Sequence, residues 1–385
     1  MKQICDPLQC TGCGACAVSC PVGCIALKED AQGFLMPMID HTRCIDCRKC
    51  VQVCPENTDH AASAYEAVYA AYAIEPSVRK RSSSGGIFSM IALNTLSKGG
   101  VVFGAALSGD GSVLKHQKAE DETELAALLK SKYIQSDTAD TFLQVRNCLE
   151  DERPVLYAGT PCQIAGLKSY LRAQAVDQPP LYVDLVCHGV PSGIVWRRYL
   201  KESLAKQHLT GSNETFIDFR MRQKGARDYR LKICNRSKPS GMDPYLRSYN
   251  AGLFLRSSCY ACPYKHRRYA SDITLGDFWG VWHVLPAWKQ QTGCSMVITH
   301  TPKGEEALRQ IASGICLQPV DPASAYKCNS AVIKPAALHP KRSRFLNVIA
   351  ELSANDPGDH DPAVTRLLKR AVPVAWKDVI RSIIS

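Results

Sequence analysis

The stretch Cys10-Thr11-Gly12-Cys13-Gly14-Ala15-Cys16-Ala17-Val18-Ser19-Cys20-Pro21 is echoed by Cys44-Ile45-Asp46-Cys47-Arg48-Lys49-Cys50-Val51-Gln52-Val53-Cys54-Pro55. Both copies read C-x2-C-x2-C-x3-C-P, and each cysteine of the second lies 34 residues after its counterpart. Three thiolates at this spacing can cap three irons of one cubane, but the local turn cannot bring the fourth around. The fourth cysteine of each run therefore serves the other cluster. One [4Fe-4S] cluster would take Cys10, Cys13, Cys16 and Cys54, and the other Cys44, Cys47, Cys50 and Cys20. The proline after each fourth cysteine ends its turn and removes a backbone donor. Two zinc sites are the plain alternative, but structural zinc takes C-x2-C pairs. A third cysteine at the same spacing, twice over, favours the clusters.

Between the copies, residues 25–30 and 34–39 read as short strands around a turn at Gln32-Gly33. Residues 3–58 resemble a bacterial-type ferredoxin domain. Cys24 departs from that pattern and reads as a buried spectator.

At 385 residues the chain is expected to hold two or three domains. No apolar run approaches a membrane span, and no apolar segment follows Lys2 as in a secretory signal. Nineteen cysteines in such a chain argue for metal ligation in a reducing, cytoplasmic setting. The net charge is +11. Residues 218–238 carry eight Lys or Arg against Asp218 and Asp228. Phe219-Arg220-Met221-Arg222, a Lys224-Gly225 turn and Tyr229-Arg230-Leu231-Lys232-Ile233 read as a hairpin, apolar inward and basic outward. That basic face is either a solvated strand surface or a dock for an anionic partner. No nucleic-acid motif accompanies it.

Further along, residues 61–73 are Ala-rich and read as a helix. Arg79-Lys80-Arg81-Ser82-Ser83-Ser84-Gly85-Gly86 then precedes an apolar-periodic helix. Small residues before a helix leave its first amides open, an anion site that nearby basic residues would strengthen. Residues 101–107 read as a buried strand and 120–132 as a helix. Residues 154–158 and 181–186 read as strands, each followed by a loop and a helix, a βαβ pattern whose strand ends share one sheet edge. Cys162 and Cys187 sit just past those ends, where open α/β sheets bind ligands. Cys259 and Cys262 form a C-x2-C pair that could complete four thiolates with them and hold a third cluster. Four unrelated buried cysteines are the bland reading. Residues 377–384 read as a terminal helix.

Ser82-Ser83-Ser84-Gly85-Gly86, Gly159-Thr160-Pro161-Cys162-Gln163, Cys187-His188-Gly189-Val190-Pro191-Ser192, Cys259-x2-Cys262 and Asp272-Ile273-Thr274-Leu275-Gly276-Asp277-Phe278-Trp279-Gly280 occur in that order. Together they resemble the coenzyme F-420 hydrogenase/dehydrogenase beta-subunit family over residues 78–330. That family relates archaeal deazaflavin-reducing subunits to plant hydroxymethyl-chlorophyll and vinyl reductases. The resemblance implies FAD, its phosphates at Ser82, Ser83, Ser84, Gly85 and Gly86, and a cubane at Cys162, Cys187, Cys259 and Cys262. His188 is then either a proton donor or a loop anchor, and Asp277 either a flavin or substrate contact or a strand-end cap.

The expected fold is α+β and multidomain: a two-cluster ferredoxin-like domain (1–60), a region with the Gly-rich loop (61–155), an α/β region with a mostly parallel or mixed sheet (156–330), and a helical tail (331–385). The expected function is an iron–sulfur flavoprotein oxidoreductase, exchanging electrons with a ferredoxin or other redox partner protein and with a small-molecule acceptor, the deazaflavin coenzyme among the candidates. An electron-transfer subunit of a larger complex is the alternative, and a basic nucleic-acid-binding protein a third. Oligomeric state is left open.

Overall fold

A computed structural model describes residues 3–58, 66–138, 140–209, 215–222, 229–265, 268–289, 293–355 and 363–375. The expected turn at Lys224-Gly225, the first part of the expected 61–73 helix and the 377–384 helix lie outside them.

The front of the chain is the ferredoxin-type unit. Strands Ile25–Glu29 and Leu35–Ile39 pair antiparallel, with Ile25 opposite Ile39. One-turn helices Ala15–Val18 and Lys49–Gln52 carry the third cysteine of each run. The turns around Cys13 and Cys47 require positive φ on both sides. Gly12 (67°) and Gly14 (87°) supply it in the first copy, whereas Asp46 (53°) and Arg48 (61°) adopt it in the second.

The larger unit is a mixed sheet of nine described strands. Its order is Ile315–Pro319, Ala67–Ala73, Ser295–Thr299, Ile273–Asp277, Leu181–Leu185, Val155–Gly159, Val101–Leu107, Leu114–Ala119 and Ser136–Asp137. The central strands from Val101–Leu107 to Ile273–Asp277 run parallel; the flanks bring in antiparallel neighbours. Helices cover both faces. Ile87, Ile91, Leu125, Leu128 and Leu308 pack on one. Phe142, Val145, Ile164, Leu167 and Leu171 pack on the other, where Cys13, Ala15 and Val53 of the front unit join the same core. A separate three-stranded sheet orders Arg236–Pro239, Tyr229–Ile233 and Ile217–Arg222.

The expectation of a helix over residues 61–73 is corrected. Ala67–Ala73 is an inner strand, with Ser295–Thr299 on one side and Ile315–Pro319 on the other. Alanine's helix preference is a few tenths of a kcal/mol per residue. Two ladders of backbone hydrogen bonds and the burial of Val68, Ala70, Ala71 and Ala73 outweigh it. The helix expected at 120–132 is the shorter Glu122–Leu128, capped by Asp121 through the Glu124 amide.

Candidate functional site

The eight cysteines of the repeat gather as the spacing requires. Cys10, Cys13, Cys16 and Cys54 interact with one another, and all four line one small cavity. Cys50 interacts with Cys20 and Cys47, and Cys24 lies between Cys20 and Cys44. Two further cysteines, Cys24 and Cys5, stand close to these sets. The Cys24 sulfur is 3.4 Å from that of Cys20, and Cys5 lines the cavity of the first set. The two sets differ in setting. Cys10, Cys13, Cys16 and Cys54 are buried, whereas Cys47 is exposed.

The large unit holds the inner set down. A Cβ added at Gly12 would stand 2.8 Å from Arg256 Nη2 and from Gln135 Nε2, and one at Gly14 2.5 Å from the Thr138 hydroxyl. Thr138 Oγ1 donates to the Cys13 carbonyl (3.0 Å) and Ser258 Oγ to the Cys10 carbonyl (3.2 Å). Gly193 donates to the Gly33 carbonyl (2.9 Å), and Arg197 pairs with Glu29. Glycine at positions 12 and 14 thus answers both the positive φ and the close approach.

The remaining expected ligands also converge. Cys162 interacts with Cys187, Cys259 and Cys262, and the four line a second small cavity with His188, Arg256, Tyr264 and Lys265. Cys162 lies in the first turn of Pro161–Ala173, a helix opened by a Thr160/Gln163 capping box. Cys187 follows the strand Leu181–Leu185, and Cys259 lies in the short helix Ser257–Ala261. Burial first, then the neighbouring thiols, pushes Cys187 up to about 12; Cys162 is pushed well up in the same way. Thiols crowded like this hold their protons unless a metal takes their place. Among the described residues no three His, Cys, Asp or Glu side chains meet closely enough to hold a single metal ion. Cys10, Cys13, Cys16 and Cys54 line one small space, and Cys162, Cys187, Cys259 and Cys262 line another.

A main cavity of about 430 Å³ lies at the carboxyl ends of the central strands. Ser82, Ser83, Ser84 and Gly86 line it at the start of the helix Ile87–Ser97. Gly86, at φ 88°, is the N-cap and has no side chain to satisfy the first amides, so they are left for a ligand or water. The Ser83 hydroxyl accepts from the Ser131 amide (2.7 Å), while Ser84 donates to the Cys294 carbonyl (2.8 Å). Gly85 faces away from the cavity. Its amide bonds Ser295 Oγ, and a Cβ there would lie 2.4 Å from the Ala71 carbonyl oxygen. Nor does Arg79 strengthen an anion site: its guanidinium is bound to the Ala73 and Ile74 carbonyls. The cations lining the cavity are Lys130, Lys132 and Arg220.

His188 lines both this cavity and the four-thiol cavity. Its Nε2 donates to the Tyr249 carbonyl oxygen (3.2 Å), and burial lowers its pKa. Asp277 ends its strand in an ion pair with Arg220. The basic outward face expected for the hairpin is therefore corrected at Arg220. This residue is 6% exposed, lies over the Tyr229 and Trp279 rings and faces the cavity. A register shift between Arg230 and Lys232 breaks the alternation. Arg230 and Lys232 are half-buried, over Ser237 and Phe216.

Sequence reading did not single out Thr11, Arg256, Lys265 or the Tyr264–Glu56 hydrogen bond (2.9 Å). Thr11 lines all three cavities. Arg256 and Lys265 stand three residues either side of the C-x2-C pair, a flanking that could have drawn attention to them.

The front unit and its cysteine runs are those of an iron–sulfur protein. Residues 152–323 match the family described as the C terminus of the coenzyme F420 hydrogenase/dehydrogenase beta subunit, and residues 9–58 match the 4Fe-4S dicluster domain. The chain is thus similar to a dicluster domain over its front and to that beta subunit's C-terminal domain over residues 152–323. It is also 39% identical over 59 residues to NADH-quinone oxidoreductase subunit I of Pelobacter propionicus (strain DSM 2379 / NBRC 103807 / OttBd1), a match spanning 13% of this chain and 31% of that protein. A solved structure, the xenon-derivatised F420-reducing [NiFe] hydrogenase complex of Methanosarcina barkeri, is similar at 14% identity and a TM-score of 0.48. That likeness covers 84% of this chain and 94% of the other. Among the described residues no helix is long and apolar enough to cross a membrane.

Proposed function

We propose that this chain is an iron–sulfur flavoprotein oxidoreductase that passes electrons between a one-electron carrier of ferredoxin type and a two-electron acceptor. The observation that carries this reading is the shared wall of the three cavities. Thr11 touches all of them, and Cys162, Cys187, His188, Gly189 and Val190 line both the four-thiol and the main cavity. Clusters on the three thiol sets would carry single electrons, and FAD in the main cavity would gather two of them.

The protein's own part is binding, spacing and exclusion of water. Ser82, Ser83, Ser84 and Gly86 offer a helix N-terminus to a pyrophosphate. The hydrogen bond from His188 to Tyr249 makes it an anchor for the Cys187 loop. Arg220 and Asp277 close the wall opposite, their charges matched to each other. Cys47, with Ile45 (61% exposed) and Arg43, Arg48 and Lys49 around it, puts the outer thiol set where a carrier can reach it.

The second reading is a subunit of a larger redox complex with no small-molecule substrate of its own. The exposed Ile45 beside the outer set favours it. Anaerobic purification decides the first point, through iron, acid-labile sulfide and mass spectrometry of any released flavin. Absence of flavin overturns the proposal. Turnover of a two-electron acceptor by the purified chain, the deazaflavin coenzyme among those tried, then separates the two readings.

A further inference from the structure

Two cations are buried beside the C-x2-C loop with no carboxylate at ion-pair distance among the described residues. Arg256 is 3% exposed and Lys265 is 5% exposed. Arg256 Nη1 donates to the Cys10 carbonyl (3.1 Å) and Nη2 to the Leu35 carbonyl (2.7 Å) and Gln135 Oε1 (3.0 Å). Its Nε has no hydrogen-bond partner. Lys265 Nζ donates to the Cys187 carbonyl (2.7 Å) and to that of Ala331. Among the described residues neither forms an ion pair.

Carbonyl oxygens solvate a cation without neutralising it, and a buried charge needs a counter-ion. Neither nearby acid reaches ion-pair distance, although Asp184 lies close enough to feel the Lys265 charge. Glu56 accepts from Tyr264, and Asp184 accepts from Thr274 while burial pushes its carboxyl up to about 7. What both cations do adjoin is thiols. Arg256 and Lys265 line the cavity of Cys162, Cys187, Cys259 and Cys262. Arg256 also bonds the backbone of Cys10 in the inner set of the repeat. Four thiolates around a cubane carry net negative charge, and one unit more after reduction.

We propose that Arg256 and Lys265 are built-in counter-charges that ease reduction of the two inner clusters, Arg256 acting on both and Lys265 on the third alone. The proposal rests on the four-thiol assignment above. A fixed cation in a low-dielectric setting stabilises the more negative state, and so raises the potential of the cluster beside it. Two such cations adjoin the four-thiol set at the main cavity, and one adjoins the inner set of the repeat. The third centre is thereby favoured over its neighbour, and an electron delivered by a low-potential one-electron carrier is drawn toward the main cavity. Each reduction adds one electron, with no bond formed and no proton taken up. Around the outer set the basic residues Arg43, Arg48 and Lys49 are exposed, where water and salt screen them.

The test is a redox titration of the full-length anaerobic protein, followed by electron paramagnetic resonance after iron has been counted. In Arg256→Gln two of three midpoints move to more negative values, and in Arg256→Lys they stay near the parent. In Lys265→Gln a single midpoint moves, that of the centre lost in Cys259→Ser. Variants with full iron and unmoved midpoints overturn the proposal, as does Lys265→Gln moving the outer centre equally. A parent with only about eight irons refutes the four-thiol assignment and, with it, the role of Lys265. Arg256→Gln must then still lower the midpoint of the inner centre of the repeat. Should Arg256→Gln fail to accumulate, Lys265→Gln decides the matter alone.

Discussion

At the scale of single residues, the charges around the main cavity are where sequence and structure part. Arg220 stood in a run of basic residues and read as surface; in the fold it is buried against Asp277. Nothing local announces such a pair, because its partner lies 57 residues away on another sheet. Asp277→Asn leaves the guanidinium buried without a counter-charge, a loss of about 3–5 kcal/mol for a broken buried pair. The urea midpoint should fall sharply, while Asp46→Asn on the exposed turn should leave it nearly unchanged. His116 gives a pH signature. Its Nε2 lies 3.0 Å from the Ala158 carbonyl oxygen and its Nδ1 2.9 Å from Ser136 Oγ, and burial lowers its pKa to about 4. The unfolded chain takes up this proton first, near pH 6.5. Stability is therefore untouched above about 6.5 and drains away between there and pH 4, by about 3 kcal/mol in all. In His116→Gln that part of the acid sensitivity should vanish, a flattening to be read from denaturant unfolding at pH 4.5 and 7.5.

At the scale of elements, the cysteine runs and the strand–loop–helix units around Cys162 and Cys187 were legible, because fixed spacing and hydrophobic runs are local properties. The Ala67–Ala73 strand was not. Its residues prefer a helix in isolation, and only the strands on either side make it extended. The serine-glycine loop was expected to form an anion site, but its division of labour was not legible. Gly85 is packed against Ala71, so enlarging it tests folding and not ligand binding. Ser83 offers the cleaner test. A carboxylate at that position can still accept from the Ser131 amide, yet it places negative charge at the start of the Ile87–Ser97 helix. Ser83→Asp should purify folded, with co-purified flavin reduced on the order of ten-fold or more. Undiminished flavin in that variant would move the pyrophosphate elsewhere.

At the scale of the whole molecule, the dicluster unit is not an appendage. Cys13, Ala15 and Val53 belong to the core of the large unit, and Arg256 is held by carbonyls of the front one. A chain beginning near residue 64 would expose that core and strip Arg256 of its partners, so single cysteine variants of the full chain are the better probes. The hairpin face, read as either a solvated strand surface or a dock, loses Arg220 to the interior. Among the described residues, Arg43, Arg48 and Lys49 are exposed charges around Cys47 of the outer thiol set. Reversing two of them should slow reduction by an acidic carrier several-fold at low salt, with the difference shrinking as ionic strength rises. Reversing Arg230 and Lys232 should change the rate little. Stopped-flow rates over a salt series distinguish these outcomes, and reduction by dithionite serves as the control for intact clusters.

The unequal turns of the repeat have a practical use. Position 12 and position 14 admit no side chain, whereas positions 46 and 48 already carry one while holding the same backbone. A spin label or an electrode tether can therefore be attached at Asp46 or Arg48 without disturbing the seam between the two units. The protein offers its own terminal for wiring, next to the thiol nearest to solvent.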